Sequence, residues 1–431
     1  MLRRRFGNFM LTDLIFDDPM QAALNHIERD PAIWRARLVP WCKINTGSRN
    51  LVGLQTFLPM LEKAFGELPG QITRMPLAPE KAVSAAGVLE DIALCDALHI
   101  AVRPDAPIKL VMTGHYDTVF PATSTFQKVV DQEGGALNGP GVADMKGGLL
   151  ILLEALKAFE TLPCADQIGY EILISPDEEI GSPGSGPILA QIGARSDVGL
   201  TYEPALADGS MSGARKGSGN FAVTVHGRAA HVGRAHAEGR SAIGAAARFV
   251  SALEGLNAGR EGVTFNTGKI DGGGPTNVVP DLAVIRFNVR APDKDGADWA
   301  MDQVDQLIAA HLSGDGLHAH MHGGFTRPPK PRTPAQELVF AQVAAAGKAV
   351  GLEMIYKDTG GVCEGNNLAA SGCANVDTLG PRGGLIHSDQ EYAILESFPE
   401  RVALSLAILF GYASGQLDAK APRRLLGIAR C

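Results

Sequence analysis

The sequence predicts an α/β fold in which a helix-covered, mostly parallel sheet is interrupted by an inserted α+β domain. The chain has 431 residues, more than one ordinary hydrophobic core supports, so we expect two domains. Strand-like runs alternate with helix-like runs in both outer parts of the chain, as is typical of parallel sheets. Residues 214–324 instead contain strands of alternating polar and apolar residues, which indicate an antiparallel sheet with one face in solvent. We therefore assign residues 1–213 and 325–431 to one domain and residues 214–324 to an insertion.

The first outer part is predicted to begin with helices and to continue with alternating strands and helices. Broken apolar stripes predict helices over residues 15–41 and 50–65. The prolines at 104–107 predict a turn between two strands. The other elements predicted before the insertion are strands at 89–102, 109–112, 168–175 and 198–202, and helices at 146–161 and 185–194.

The insertion and the second outer part differ in their patterns. Within the insertion, alternating residues predict strands at 221–226 and 283–289, with helices at 241–253 and 296–312. The pairs Gly323-Gly324 and Pro328-Pro329 predict the loop by which the chain returns to the first domain. The elements predicted after this return are helices at 333–349, 366–371 and 397–412 and strands at 353–357 and 375–379.

The composition excludes several classes of function. Hydrophobic residues make up 45% of the chain and charged residues 20%, as in globular proteins, and the net charge is −8. The sequence has no basic stripe, so we do not expect nucleic acid as a partner. The apolar segment 147–162 carries Glu154, Lys157 and Glu160, so we expect a core helix there and no membrane span.

Cysteine usage predicts a reducing, cytoplasmic compartment. The six cysteines are scattered without a CxxC pair, which argues against a disulfide framework and against a thiolate zinc site. The arginines at positions 3–5 are followed by Asp13, Asp17 and Asp18, which interrupt the apolar segment that a signal peptide needs. We therefore expect no signal peptide.

Side chains that could bind a metal follow several of the predicted strands. They are His115, Asp177, Glu178, Glu179, Glu203 and, in a later loop, His387. In open α/β sheets, ligands bind outside the carboxyl ends of the strands, so these side chains are expected to meet at one edge of the sheet. Asp144 follows a Gly/Pro loop just before an apolar helix. Asp117 lies two residues after His115, on the same side of the strand, where its carboxylate can accept the second ring N–H of the histidine.

Seven motifs carry a resemblance to a known family. They are GHYDTV (114–119), GPGVADMKGG (139–148), PDEEIGS (176–182), TYEP (201–204), GRAAHVG (227–233), GGGPTNVVP (272–280) and GLIHSDQEY (384–392). In this order and spacing the chain resembles the co-catalytic zinc peptidase family that includes glutamate carboxypeptidases, aminoacylases, and acetylornithine and succinyl-diaminopimelate deacylases. The resemblance implies a zinc-binding α/β catalytic domain with an inserted lid and dimerisation domain, in agreement with the boundaries above.

The resemblance also implies a role for each candidate ligand. Asp144 would bridge two zinc ions, with His115 and Glu203 completing one ion's ligands and Glu179 and His387 the other's. Two such ions about 3.5–4 Å apart can share a hydroxide and polarise a substrate carbonyl together. Cobalt or manganese could replace zinc at nitrogen and oxygen ligands.

Glu178 would be the general base of this family-like site, and Asp117 would orient His115. Glu178 would take a proton from the attacking water and later give it to the leaving amine. The resemblance further implies a cis peptide bond between Asp144 and Met145.

Residues of the insertion are implied to contact the substrate. By resemblance, His231 would donate a hydrogen bond to the developing oxyanion and would come from the partner subunit, which predicts a homodimer formed through the lid. Asn277 and Arg290 match residues that hold substrate in carboxypeptidase-like members. The guanidinium fork of an arginine suits a terminal carboxylate. Arg327 and the backbone of Gly361 are further candidates for substrate binding.

The predicted function is that of a zinc-dependent hydrolase cleaving an amide or peptide bond next to a free carboxylate. The enzyme would be a carboxypeptidase or an N-acyl-amino-acid amidohydrolase, with N-acyl amino acids or short peptides as substrates. The alternatives are a dinuclear aminopeptidase or dipeptidase, a non-enzymatic binding protein on the same scaffold, and a metal-independent hydrolase. The last would need a GxSxG or Cys–His arrangement, and neither pattern is present.

One motif departs from the family pattern. Family members often carry Asp-Gly-Asn after the Gly-Gly loop, whereas this chain has Glu364-Gly365-Asn366, preceded by Cys363. The longer acid at 364 is expected to alter the substrate pocket, and an aminopeptidase would need such an acid to face that pocket. Cys363 is interpreted as a core or pocket-wall residue.

Overall fold

The computed structural model describes residues 13–427. The arginines at 3–5 and Cys431 lie outside the described residues. The helices are α1 Asp18–Asn25, α2 Pro31–Cys42, α3 Leu51–Phe65, α4 Lys146–Phe159, α5 Gly186–Arg195, α6 Val232–Ala235, α7 Ala242–Gly255, α8 Lys294–His311, α9 Pro334–Ala349, α10 Glu364–Ala370, α11 Ser397–Ala413 and α12 Ala421–Leu425. Across residues 13–427, no helix combines the length and the apolar character that crossing a membrane would require.

The strands fall into a large mixed sheet, an antiparallel sheet and several smaller pairings. They are β1 Gln71–Met75, β2 Glu80–Val83, β3 Leu89–Ile92, β4 Ala97–Val102, β5 Ile108–His115, β6 Val130–Gln132, β7 Ala136–Asn138, β8 Ile168–Ser175, β9 Val198–Thr201, β10 Ala205–Leu206, β11 Met211–Arg215, β12 Gly217–His226, β13 Thr264–Gly272, β14 Leu282–Ala291, β15 His318–Arg327, β16 Tyr356–Thr359, β17 Asn375–Val376, β18 Arg382–Gly384 and β19 Tyr392–Ile394.

The large sheet has six strands in the order β1-β4-β8-β5-β9-β17. Strand β5 lies parallel to β8 and β9, and β17 lies parallel to β9, whereas β4 runs antiparallel to both of its neighbours. Helix α4 is buried along most of its length and packs against α11 and α2. Because helices cover the central strands, most residues of those strands are apolar, and the candidate ligands lie at their carboxyl ends.

The second sheet is antiparallel throughout, in the order β13-β14-β12-β15. Alternate residues of its strands, among them Val223, Ile285 and Phe287, form a separate hydrophobic core. Helices α7 and α8 contribute Phe249 and Val304 to that core. This sheet has the alternation that the sequence predicts, so the predicted fold class is confirmed. The division of the chain at residues 213 and 325 stays a prediction.

Several local predictions differ from the structure. The helix predicted over 15–41 is two helices, because Asp30 caps a new helix that begins at Pro31. The strand predicted over 89–102 is likewise divided into β3 and β4. The predicted return loop at Gly323-Gly324 lies inside β15, which continues to Arg327. Gly323 has φ +114°, and a Cβ there would lie 2.1 Å from the Asn220 carbonyl oxygen, so this glycine permits close strand pairing.

The chain enters the antiparallel sheet just before β12 and leaves it just after β15. A buried cluster of charged side chains joins these two segments. Arg215 and Lys330 pair through their backbones, each N–H donating to the other's carbonyl at 3.0 Å. Both side chains reach the same carboxylate, with Arg215 Nε and Lys330 Nζ each 2.7 Å from Asp377 Oδ2. Asp377 is fully buried, so it is the charge that allows both cations to be buried.

Replacing Asp377 with asparagine is expected to destabilise the protein by about 3–5 kcal/mol, because two buried cations lose their counter-charge. The free energy of unfolding from a urea titration measures this effect. Asp208→Asn is the matched control, because its ion pair with Lys357 is exposed and is expected to leave the unfolding midpoint unchanged. Equal midpoints for the two variants would contradict the assignment.

Candidate metal centre

His115 ends the central strand β5 and lies against two of the predicted acidic ligands. Its Nε2 atom is 3.1 Å from Asp144 Oδ1 and 3.7 Å from Glu203 Oε1. The histidine is fully buried, and both acids are nearly so. Glu203 follows β9, the strand next to β5, so parallel pairing brings the two strand ends together. This half of the predicted centre is therefore assembled as expected from the ends of the strands.

His387 approaches Asp144 from the opposite side. Its Nε2 atom is 3.2 Å from Asp144 Oδ2 and 3.1 Å from Glu179 Oε2. The two carboxylate oxygens of Asp144 thus face one histidine each, and each histidine has a second acidic neighbour. The peptide bond between Asp144 and Met145 is cis, as the resemblance implies.

Asp117 holds the end of β5 against the turn after β8. Its Oδ1 atom lies 3.3 Å from Nδ1 of His115. The backbone N–H groups of Glu178 and Glu179 donate to its two oxygens at 3.2 and 3.1 Å, and Ser48 Oγ donates at 2.7 Å. Asp117 is therefore well placed to orient His115, and it also positions the turn that carries both glutamates.

Burying so many carboxylates together gives the site a strong affinity for positive charge. Burial raises the pKa of Glu203 to about 7, and burial together with the charge of Asp144 raises the pKa of Glu179 well above its usual range. Although burial acts to raise the pKa of Asp144, hydrogen bonds from His115 and His387 lower it. Hydrogen bonds to Asp144 and Glu179 raise the pKa of His387 to about 11. A bound cation would relieve this repulsion between acids.

The donor atoms fit a metal ion. Within the part of the chain that the structure describes, one ligand atom each from His115, Asp144 and Glu179 lie within 4.8 Å of one another, and so do atoms from His115, Glu178 and Glu203. Imidazole nitrogen and carboxylate oxygen are the ligands of many catalytic zinc sites. A site with three or more such donors, most of them buried, is thus a plausible metal centre.

Glu178 lies beside these ligands and is held by the arginine that ends β15. Nη2 of Arg327 is 2.6 Å from Glu178 Oε1 and 3.0 Å from the Glu178 carbonyl oxygen. Nη1 of Arg327 donates to Asn367 Oδ1 at 2.6 Å. The arginine is 1% exposed, and protein groups accept from both of its Nη atoms, whereas its buried Nε has no hydrogen-bond partner among the described residues.

Two of the other predicted substrate residues are Arg290, in β14, and Gly361, in the loop after β16. Arg290 is half-buried, its Nε donates to Asn288 Oδ1 at 3.0 Å, and burial lowers its pKa. Its Nη1 atom lies 3.5 Å from the carbonyl oxygen of Gly360, next to the exposed Gly361. Arg290 and Gly361 are thus brought close together.

His231 and Asn277 are both exposed and lie beside each other in the inserted region. The contacts described for His231 are with neighbours there: its Nδ1 accepts from Gly233, and it pairs with Val278. The carbonyl oxygen of Asn277 accepts from the N–H of Val232 at 3.0 Å. The described contacts of His231 are therefore not with the predicted metal ligands of its own chain.

Glu364 is fully buried rather than facing an open pocket. Its carboxyl group is hydrogen-bonded to Ser175 Oγ, and burial raises its pKa to about 8. Its second carboxylate oxygen, Oε2, is buried and has no hydrogen-bond partner among the described residues. Cys363 is also buried, its sulfur accepts from the N–H of Gly365 at the start of α10, and burial raises the pKa of its thiol. This agrees with its interpretation as a core residue.

Sequence reasoning missed one acidic residue of the site. Glu391 belongs to the GLIHSDQEY motif, and its buried carboxylate accepts hydrogen bonds from the loop that carries Asp144. A glutamate four residues after a candidate histidine ligand was the available signal. Sequence could not show that it turns inwards, because no regular periodicity governs that loop.

Comparison with known proteins agrees with the family that the sequence motifs indicate. Residues 111–410 match the sequence model described as Peptidase family M20/M25/M40. Carboxypeptidase G2 of Pseudomonas sp. strain RS-16 is 27% identical over 313 residues, which cover 71% of this chain and 74% of that protein. Succinyl-diaminopimelate desuccinylase of Alkalilimnicola ehrlichii is 30% identical over 301 residues, covering 65% of this chain and 77% of that protein. A tripeptidase structure from Staphylococcus aureus superposes with a TM-score of 0.65 at 22% identity, covering 92% of this chain and 99% of that one.

Proposed function

Because the chain belongs to peptidase family M20/M25/M40 and is a metallohydrolase of that family, we propose that it cleaves an amide or peptide bond next to a free carboxylate. The observation that carries this proposal is the position of Asp144, whose two oxygens face His115 and His387. A carboxylate placed in this way suits the bridging position between two metal ions, and the acids beside each histidine supply further ligands.

The proposed cofactor is a pair of zinc ions, with cobalt or manganese as substitutes. Asp144, His115 and Glu203 would hold one ion, and Asp144, Glu179 and His387 would hold the other. When bound, such ions polarise the substrate carbonyl and lower the pKa of water. Asp117 would keep His115 in one tautomer by accepting from Nδ1–H, which directs Nε2 towards the ion.

Glu178 is the proposed general base. A carboxylate oxygen of Glu178 would accept a proton from the attacking water and return it to the leaving amine nitrogen. Arg327 donates to this carboxylate and to the carbonyl oxygen of the same residue, so we assign it to holding Glu178 rather than to binding substrate. His231 would donate to the developing oxyanion.

The substrate is proposed to be an N-acyl amino acid or a short peptide with a free carboxylate. Arg290 is half-buried and lies beside the Gly360-Gly361 loop, a position from which its guanidinium could bind that carboxylate. Asn277 and the backbone of Gly361 are the other proposed contacts. The names of the two curated relatives, a carboxypeptidase and a desuccinylase, agree with an amide substrate of this class.

Hydrolysis of a panel of N-acyl amino acids and dipeptides tests the proposal. Each substrate is assayed with chelated enzyme and with the same enzyme after zinc is restored, and is paired with its carboxamide, in which the free carboxylate is blocked. We expect zinc-dependent hydrolysis of the free acids and little of the carboxamides. Preference for substrates with a free amino terminus, regardless of the carboxylate, would instead indicate an aminopeptidase.

We further propose that residues 214–324 form the lid and dimerisation domain, and that residues 1–213 and 325–431 form the catalytic domain. In a homodimer built through the lid, the exposed His231 would reach the partner's site. The five cysteines within the described residues are free, which supports the proposed cytoplasmic location.

Mixing two inactive variants, His231→Ala and Glu178→Gln, is expected to restore activity if His231 acts in the partner's site. A hybrid dimer then has one complete site, so an equal, fully exchanged mixture should recover about a quarter of wild-type activity. Sedimentation gives the oligomeric state, and each variant alone is the control. A monomeric enzyme, or a mixture no more active than its parts, would rule out this arrangement.

A further inference from the structure

Glu391 connects the two loops that carry Asp144 and His387. Its side chain is 1% exposed. Oε1 accepts from the backbone N–H groups of Ala143 and Asp144, both at 3.0 Å, and Oε2 accepts from Gly141 at 3.2 Å. The carboxylate therefore accepts from three backbone donors of the Asp144 loop, including the N–H of the proposed bridging ligand itself.

The Glu391 carboxylate contacts the backbone of Asp144 directly, whereas the strand pairing between the two segments lies farther along the chain. Strands β7 and β19 pair, with Asn138 opposite Tyr392, but this pairing ends before the loop that carries Asp144. Asn138 Nδ2 donates to the carbonyl oxygens of Asp389 and Glu391. Beyond these contacts, the Glu391 side chain accepts from the backbone N–H of Asp144, whereas His387 faces the side chain of Asp144.

The surrounding structure fixes the position of His387 less firmly than that of His115. It lies in a loop, its side chain is 53% exposed, and its φ of +63° is in the left-handed region that residues other than glycine rarely adopt. His115 instead ends a central strand, is fully buried, and is backed by Asp117. An ion held by His387 therefore depends more on how accurately the neighbouring loop is placed.

We propose that Glu391 is a positioning residue that sets the distance between Asp144 and His387, and so determines the binding of the ion held by Asp144, Glu179 and His387. This inference rests on the proposed metal centre. Metal–ligand distances lie within about 0.2 Å of standard values, so a shift of the Asp144 loop is expected to weaken binding of that ion. The ion on the His115 side keeps two ligands at the ends of packed strands and is affected less.

The test is zinc and cobalt binding by Glu391→Gln, measured by competition with a chromophoric chelator and by the visible absorption of cobalt. Glutamine retains one oxygen acceptor but places N–H₂ against a backbone donor. We expect wild-type enzyme to bind two ions, and the variant to bind one of them about 10–100-fold more weakly while the other changes little. Excess metal should restore hydrolysis in part.

Glu160→Gln is the matched control. The carboxylate of Glu160 also accepts three hydrogen bonds, from Nη1 and Nη2 of Arg103 and from the Tyr170 hydroxyl, but it lies outside the site. This variant should keep both ions at wild-type affinity. If Glu391→Gln does not fold, Glu391→Asp carries the same test, because its shorter carboxylate cannot reach all three donors.

Three results would overturn the inference. The first is a variant with a lower melting temperature but two ions at unchanged affinity, which would show a purely structural role. The second is equal weakening of both ions. The third is wild-type enzyme that binds no metal. That result would also overturn the proposed function, whereas the first two results would leave the proposed function standing.

Discussion

Replacing Glu178 with glutamine is expected to lower kcat by about 10²–10⁴-fold, because the variant loses the group that we propose moves the proton from water to the leaving amine. The amide keeps the size of the side chain and can still accept from Arg327, whose Nη2 lies 2.6 Å from Glu178 Oε1. The substrate contacts are unchanged, so KM should change little. Steady-state kinetics on the best substrate of the panel measures both constants.

Bound metal must be measured on the same variant, because an oxygen of Glu178 also lies within 4.8 Å of ligand atoms of His115 and Glu203. A general base can be removed without loss of metal, whereas a ligand cannot. Glu171→Gln serves as the control, since that carboxylate binds Arg195 and His99 away from the site. Unchanged kcat, or loss of an ion in proportion to activity, would show that Glu178 is not the base.

Replacing Asp144 with asparagine is expected to weaken both ions and to reduce hydrolysis by roughly 10³-fold or more, since bound metal supplies several kcal/mol of transition-state stabilisation. Each oxygen of Asp144 faces one of the two histidines, so a single change affects both halves of the centre. The neutral amide offers one oxygen and no charge. Metal content after gel filtration and the rate with added zinc measure the loss.

Asp91→Asn is the matched control for this change. Asp91 is exposed and pairs with Lys81 on the β2–β3 hairpin, so both metal binding and activity should be retained. The bridging assignment fails if Asp144→Asn keeps two ions, or if it loses one ion and retains the other at full affinity. The second result would place Asp144 at a single metal.

The fold class was open to prediction because burial imposes periodicity on sequence. Strand β8 was predicted with its observed bounds, Ile168–Ser175, because a strand covered on both faces is mostly apolar. Strands β13 and β15 were not predicted. Their exposed residues and glycines, such as Gly268 and Gly323, break the alternation that identifies a half-buried strand.

The candidate ligands could be named from the sequence, whereas the contacts that support them could not. His115 and Glu203 follow apolar strands, so their convergence could be inferred from the topology of a parallel sheet. Arg327 was expected to meet substrate, yet β15 carries it into an ion pair with Glu178. Glu391 had no predicted role at all. Contacts of this kind join residues far apart in the chain, and local pattern contains no information about them.

By itself, then, the sequence determined the α/β class with its antiparallel insertion, and the chemical identity of the residues proposed to form a metal centre. Those properties follow from local periodicity and from the types of side chain at the ends of apolar segments. The tertiary structure alone decided which oxygen of Asp144 faces which histidine, that Arg327 holds Glu178, and that Glu391 holds the Asp144 loop. Each of these depends on distances of about 3 Å between side chains, and such distances exist only once strands and loops have packed together.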